Sequence, residues 1–394
     1  MHKTLFSTLA LLTATLLLFS CGKHSFDDVF DDPFGSSSSS VEGSSSSNLE
    51  ENRTIESINE ILLNFYEKHQ IKGGVSMTIS YNERLVYAGS VGYADYDQNI
   101  KLTPEHRMRI ASVSKPITSI AIMKLLEEEI ISLDDLVFGK NGILNNEYGM
   151  PTYNGNHVDI TIKQLLEHSS GGWGNVAAGR FNNITKVLED FHLEYLPNTH
   201  HEYSNFGYHV LGRVIERKSG MTYEDYVKEN ILELSGVNGM RIGANHSEPD
   251  EVVYISDDGR NPYTSVIPGN MDASGGWIAT PVELLKLLVR VDGFSNVQDI
   301  LNSETINTMT TRSITNERYA LGWRLNQAGN NWYHTGTMAG TSSMIARSSN
   351  RFNWVILINY RPPDSIFEEF RRDIDNLFWE IHRTVAEWPA GIEL

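Results

Sequence analysis

A serine stands three residues ahead of a lysine in Ser112-Val113-Ser114-Lys115, just before a long apolar run at helical spacing. Residues i and i+3 of a helix share one face, so a helix that begins at Ser112 would point Lys115 at the serine hydroxyl. A desolvated lysine of lowered pKa can remove the proton that keeps this hydroxyl a poor nucleophile. The N–H groups of the helix start would suit a developing oxyanion. The alternative is an ordinary helix start, with Ser112 as N-cap and Lys115 solvated.

Two further segments carry side chains that would complete such a site. Tyr203 and Asn205 stand immediately ahead of another predicted helix. A tyrosine beside a cationic lysine can shuttle protons, and an asparagine side chain can hold both a lysine and a substrate carbonyl. The alternative here is a turn-forming loop without a chemical role. In the strand-like segment His334-Thr335-Gly336, the glycine would let a substrate backbone lie against an edge strand. The N–H of the next residue, Thr337, would be a second oxyanion donor.

These three segments, in this order, resemble the signature of the penicillin-recognising serine hydrolases, especially their class C β-lactamase-like branch. The phrases LLEHSSGG, LPNTHHEYSNFGY, DASGGWIATPVELLKLL and HTGTMAGTSS support the resemblance, which covers residues 54–394. The resemblance implies Ser112 as nucleophile and Lys115 and Tyr203 as base and proton shuttle, without settling which takes the first proton. It implies the N–H groups of Ser112 and Thr337 as oxyanion hole. Four residues would contact the substrate: Asn205, His334, Thr335 and Gly336.

Two positions depart from the family pattern. The β-lactamases and DD-peptidases usually have a lysine where this chain has His334, and that permanent cation helps to dock a carboxylate. Members with a histidine there resemble aminopeptidases and esterases, so amide or ester hydrolysis is expected ahead of β-lactam hydrolysis. An unperturbed histidine titrates near pH ~6.5, so His334 is expected to become charged in mild acid and then to favour carboxylate substrates. Asn198 replaces a glycine that is common in the loop before Tyr203.

The expected function is therefore that of an exported serine hydrolase, which forms an acyl-enzyme with a small-molecule or peptide substrate. The alternative is a catalytically silent penicillin-binding-like protein that binds cell-wall peptide or a protein partner. The 13 histidines show no metal-ligand spacing, so that neither a metal nor a cofactor is expected.

The elements that must position these residues follow from periodicity. Strand-like alternation near both ends of the chain encloses a region of helical periodicity. Strands are predicted at 74–80, 84–89, 319–325, 332–335, 342–346 and 353–359. Helices are predicted at 54–69, 115–131, 161–168, 184–191, 208–218, 223–234, 281–291 and 365–385. This order predicts an α/β fold of the α+β type, with one antiparallel sheet built from both termini, flanking helices, an inserted helical domain and a cleft between the two. The family resemblance implies a β-lactamase/transpeptidase-like architecture.

Composition and the N-terminal segment indicate where the protein acts. The formal net charge of −18 over 394 residues leaves no basic stripe for nucleic acid. Residues 1–20 have the pattern of a signal peptide, and Cys21, the only cysteine, follows in a sequence that resembles a lipoprotein cleavage box. The Ser-rich segment 21–50 predicts a disordered tether ahead of a hydrolase domain at 51–394. The expected location is the cell envelope, as a bacterial lipoprotein in the periplasm or on the outer membrane, anchored to the membrane by lipid at Cys21.

Overall fold

The computed structural model describes residues 45–149, 156–173 and 183–394. The predicted signal peptide, Cys21 and most of the predicted tether lie outside the described residues. Helix α1, Ser45–Lys68, begins within the segment assigned to the tether. In the part of the chain that is described, no helix is long and apolar enough to cross a membrane.

The main sheet contains eight strands, and every pair of neighbours in it is antiparallel. Its strands are β1 Gly74–Tyr81, β2 Arg84–Asp95, β3 Ile100–Lys101, β8 Arg324–Leu325, β9 Trp332–Met338, β10 Thr341–Arg347, β11 Phe352–Ile358 and β13 Ile392–Glu393. They lie in the order β13-β2-β1-β11-β10-β9-β8, with β3 beside β2. Two small sheets are formed by β4 Met108–Arg109, β5 Arg241–Ile242 and β7 Trp277–Ala279, and by β6 Ile255–Ser256 with β12 Tyr360–Arg361.

Nine more helices follow α1 in the described chain. They are α2 Ser114–Glu127, α3 Ile162–Leu166, α4 Ile184–Asp190, α5 Asn205–Ser219, α6 Tyr223–Val227, α7 Asp272–Gly275, α8 Pro281–Val289, α9 Ser303–Thr310 and α10 Asp364–Thr384. All except α10 lie between the two strand-rich ends of the chain. The predicted fold class, an antiparallel sheet assembled from both termini with a helical region between them, is confirmed.

The sheet separates two apolar cores because successive side chains of a strand point to opposite faces. On one face, strand residues such as Ile356 pack against α1 and α10, and Trp354 stacks on Phe378 with ring centroids 3.9 Å apart. On the other face, residues such as Leu357 belong to the core of the helical region, where α8 packs against β1 and β11. The sheet is thus held between the terminal helices and the helical region, and the turn Ala111–Val113, which leads into α2, contacts β9 and β10.

The predicted strand at 319–325 is wrong over most of its length, since only Arg324–Leu325 pairs with β9. Gly322 has a φ of 83°, and the N–H of Ala320 donates to the carbonyl of Trp323 over 2.8 Å. A tight turn at this glycine therefore interrupts the extended chain, and Tyr319 is left in a single bridge with Arg324.

Candidate active site

Ser112 lies in a 3-10 turn, Ala111–Val113, that leads into α2. The α-helix itself begins at Ser114, one residue before the predicted start, and Ala111 at the start of the preceding turn has a left-handed φ of 49°. Lys115 still falls one turn from the serine, and its Nζ lies 3.4 Å from the Ser112 Oγ. The structure thus brings these two predicted residues together.

Lys115 is completely buried and has two good hydrogen-bond acceptors. Its Nζ donates to Asn205 Oδ1 over 2.6 Å and to the carbonyl of Ser274 over 2.8 Å. Burial, followed by the nearby charge of Arg324, lowers the pKa of Lys115 well below its usual value. A neutral amine has two N–H groups, and these two acceptors engage both. The lone pair is then left for the Ser112 hydroxyl, which is the arrangement a general base needs.

The start of α5 supplies Tyr203 and Asn205. Ser204 caps this helix by accepting the N–H of Gly207 over 3.0 Å, which sets Asn205 in the first turn. Tyr203 lines the same pocket as Ser112, and Lys115 Nζ lies 4.8 Å from the centre of its ring. Burial raises the pKa of Tyr203 to about 12, so the phenol keeps its proton in the resting site.

The loop before Tyr203 accommodates Asn198 without difficulty. Asn198 takes a left-handed φ of 67°, a conformation that asparagine tolerates better than most residues. Its N–H donates to the carbonyl of Ser169 over 2.7 Å. The asparagine thus adopts the left-handed geometry that a glycine would take.

Strand β9 lies beside the nucleophile turn because Gly336 has no side chain. A Cβ at this position would lie 2.4 Å from the carbonyl oxygen of Ile110 and 2.3 Å from Ser343 Oγ. The close approach places Thr335, Gly336 and Thr337 on the wall of the pocket that also contains Ser112 and Tyr203. The predicted oxyanion donors, the N–H groups of Ser112 and Thr337, therefore belong to one pocket.

His334 departs from the role expected of it. Its side chain is fully buried, and it does not line the pocket that contains Ser112. Its Nε2 is hydrogen-bonded to Tyr319 Oη at 3.2 Å, and its Nδ1 is hydrogen-bonded to the carbonyl of Thr335 at 2.8 Å. Burial, followed by repulsion from Arg324, holds the pKa of His334 well below its usual value. The expectation that His334 becomes charged in mild acid and docks a carboxylate is therefore corrected, because a buried ring without access to substrate stays neutral.

Arg324 is a cation on the wall of this pocket that the sequence alone did not single out. Its guanidinium lies 5.8 Å from the ring centre of Tyr203, on the wall of the pocket. Within the described residues it has no ion pair, and its buried Nε has no hydrogen-bond partner. In the sequence GWRLN nothing distinguishes Arg324 from a surface arginine, because its position on the pocket wall depends on the turn at Gly322. The carbonyl of Ser274 was also missed, although the phrase DASGG contains it.

The chain matches the protein family described as Beta-lactamase over residues 58–376. Protein flp of Staphylococcus aureus (strain MW2) is 26% identical over 300 residues, which cover 73% of this chain and 59% of that protein. The chain thus spans little more than half the length of this curated relative.

Solved structures that share the fold include the following two. One is an octameric penicillin-binding protein homologue from Pyrococcus abyssi, with a TM-score of 0.67 and 24% identity, covering 83% of this chain and 77% of that one. The other is a D-amino acid amidase from Ochrobactrum anthropi SV3, with a TM-score of 0.68 and 18% identity, covering 83% of this chain and 99% of that one. At sequence identities of 24% and 18%, the similarity to these two structures establishes a shared fold only.

Proposed function

The chain belongs to the beta-lactamase family, and on that premise we propose that it is a serine hydrolase that forms an acyl-enzyme with an amide or ester substrate. One observation carries the proposal. Asn205 Oδ1 and the Ser274 carbonyl hold the amine of Lys115, and among the described residues Ser112 Oγ, at 3.4 Å, is its remaining hydrogen-bond partner. A solvated first-turn lysine would have none of these contacts.

In the proposed mechanism Lys115 is the first base. Its lowered pKa favours the free amine, whereas the pKa of Tyr203, raised to about 12, favours the protonated phenol. The Ser112 proton passes to Lys115 as Oγ attacks the substrate carbonyl, and the developing oxyanion is held by the N–H groups of Ser112 and Thr337. The proton then reaches the leaving group by way of Tyr203, the C–N or C–O bond breaks, and water repeats the sequence on the acyl-enzyme.

The proposed substrate is a small-molecule or peptide acyl donor that carries an anionic group. Arg324 supports this proposal, because an arginine is always charged and its planar fork matches a carboxylate. Because Arg324 forms no ion pair with the described residues, its charge on the pocket wall favours an anionic ligand over a neutral one.

Labelling by a fluorophosphonate probe, combined with hydrolysis of a chromogenic ester, tests the hydrolase proposal. Wild type should be labelled, and Ser112→Ala should lose both labelling and turnover while its fold is retained. Ser114→Ala is the matched control, because this buried serine belongs to the same motif but its Oγ bonds to the N–H of Trp277 over 3.3 Å. Wild type without labelling, or a labelled Ser112→Ala, would refute the proposal; the first result would favour the silent binding protein.

We further propose that the protein is exported and anchored by lipid at Cys21, on the sequence features given above. Full-length protein from a lipidating bacterium should fractionate with membranes and carry an acylated N-terminus by mass spectrometry. Cys21→Ser should release it or block its processing. A soluble wild-type protein with an unmodified N-terminus beyond Cys21 would contradict the anchor.

A further inference from the structure

A buried row of three polar side chains connects the Tyr203 loop with strand β9. His168 follows α3, Tyr319 precedes β8 and His334 lies on β9, and each is at most 1% exposed. His168 Nε2 is 3.0 Å from Tyr319 Oη, and Tyr319 Oη is 3.2 Å from His334 Nε2. None of the three lines the pocket beside Ser112. The row therefore lies behind the site and does not face the substrate.

The two ends of the row fix the position of each proton in it. The backbone N–H of Ser204 donates to His168 Nδ1 over 3.1 Å, so the proton of a neutral His168 is on Nε2 and points at Tyr319. At the other end, the Thr335 carbonyl accepts from His334 Nδ1 over 2.8 Å, which leaves Nε2 as an acceptor. Tyr319 must then accept from His168 and donate to His334.

The row is neutral as well as ordered. Burial, with a further contribution from the charge of Arg324, holds the pKa values of His168 and His334 well below the usual range. Burial also raises the pKa of Tyr319 well above its usual value. A buried polar network whose members are all hydrogen-bonded specifies one arrangement of the segments that it joins.

The segments joined by this row are the ones that carry the proposed chemistry. Ser204, at one end, lies between Tyr203 and Asn205 and caps α5. Thr335, at the other end, directly precedes Gly336 and Thr337 on the pocket wall. The ring of His168 also packs against the ring of Tyr203, with centroids 4.3 Å apart.

We propose that His168, Tyr319 and His334 are positioning residues that fix the Tyr203 loop relative to strand β9. The inference rests on the proposed hydrolase function. It also gives a physical reason for a histidine at position 334. The side chain there must donate a hydrogen bond at one end and accept one at the other, and a lysine ammonium only donates.

Tyr319→Phe tests the proposal, because it keeps the ring and removes both hydrogen bonds of the hydroxyl. We expect kcat for a chromogenic ester to fall about 10–100-fold, the scale of a catalytic group displaced by ~1 Å. KM should stay within about threefold, since the row does not touch substrate. Tyr87→Phe is the control: Tyr87 is also 1% exposed, and its hydroxyl bonds to Asn59 Oδ1 at 2.8 Å in the core beneath α1. It should lose stability without losing kcat.

Wild-type kcat in Tyr319→Phe, or an equal fall in Tyr87→Phe, would overturn the positioning role. Wild type without turnover would count instead against the proposed function. Nitrogen-15 NMR of the wild-type histidine rings gives a second measurement that needs no folded Tyr319 variant. At neutral pH, His334 should carry its proton on Nδ1 and His168 on Nε2, and the opposite tautomer at either residue would overturn the proposal.

Discussion

Two basic side chains close to Ser112, Lys115 and Arg324, have opposite surroundings. Lys115 is fully buried with two oxygen acceptors, whereas Arg324 faces the pocket without an anionic partner among the described residues. The charge of Arg324 helps to lower the pKa of Lys115, so one residue both tunes the proposed base and offers a docking point for an anion.

Arg324→Gln should reduce the preference for an anionic substrate. The quantity to compare is kcat/KM for a carboxylate acyl donor divided by that for its methyl ester, because any effect on Lys115 cancels in this ratio. Hydrogen bonds to charged groups contribute ~1.5–3 kcal/mol, so the ratio should fall about 10–100-fold. Arg371→Gln is the control on the same pocket wall, since Arg371 is already paired with Glu368 and Asp375. An unchanged ratio in Arg324→Gln would exclude a docking role.

For single residues, the sequence predicts which side chains lie close together better than it predicts their charge state or exposure. The spacing of Ser112 and Lys115 is local, so a single helical turn brings them together as predicted. The neutral state of His334 and the exposure of Arg324 depend on neighbours from distant segments, such as Tyr319 and Tyr203. No pattern within a short window contains that information.

At the scale of elements, the site depends on how closely β9 approaches the turn that carries Ser112. Gly336 faces the Ile110 carbonyl and Ser343, whose Oγ donates to that carbonyl over 2.7 Å. Strand and turn are therefore packed backbone to backbone, which a side chain of any size would prevent.

Gly336→Ala should separate the two proposed oxyanion donors, because its Cβ has no room at 2.4 Å from the Ile110 oxygen. Loss of one such donor typically lowers kcat ~10²–10³-fold, and we expect a fall of this order in ester hydrolysis. Gly269→Ala serves as control, since a Cβ at Gly269 meets nothing within 4 Å. Full activity in Gly336→Ala would contradict this prediction, because it would show that catalysis does not require the close approach of β9 to the Ser112 turn.

The sequence predicts most long elements, and it fails where a turn or a cap decides their ends. The helix predicted at 208–218 begins at Asn205 because Ser204 caps it. The helix predicted at 115–131 ends at Glu127, two residues before Glu129 takes a left-handed φ of 55°. Periodicity reports the buried face of an element, whereas its ends depend on single backbone angles and hydrogen bonds.

At the scale of the whole molecule, a buried carboxyl links stability to pH. Asp292 is completely buried and accepts hydrogen bonds from Asn353 Nδ2 over 2.7 Å and from the N–H of Phe294 over 2.9 Å. Burial raises the pKa of Asp292 to about 7. Between about pH 4 and 7 the folded protein therefore holds a proton that the unfolded chain releases, so this group's contribution to stability is lost as pH rises through that window.

Asp292→Asn should remove that part of the pH dependence. In urea unfolding, the wild-type free energy of unfolding should fall by on the order of 2–4 kcal/mol from this group between about pH 4 and 7, relative to the variant. Asp97→Asn, an exposed substitution, controls for the loss of one negative charge. Parallel stability profiles for wild type and Asp292→Asn would contradict the prediction.

The architecture follows from the sequence at this scale, but the strand order does not. Strands at both ends and helices between them predict one sheet. That β1 lies inside the sheet, with Val75 opposite Ile358 and Val91, is set by long-range register.

This pairing also affects biosynthesis. When β1 and β2 leave the ribosome they can close a hairpin, but the other side of β1 has to wait for β11, almost the whole domain later. Until then a strand with a nearly continuous buried pattern presents an open edge. Such late closure makes folding slow and leaves the nascent chain prone to association, so a holding chaperone would act mainly on the newly made N-terminal third.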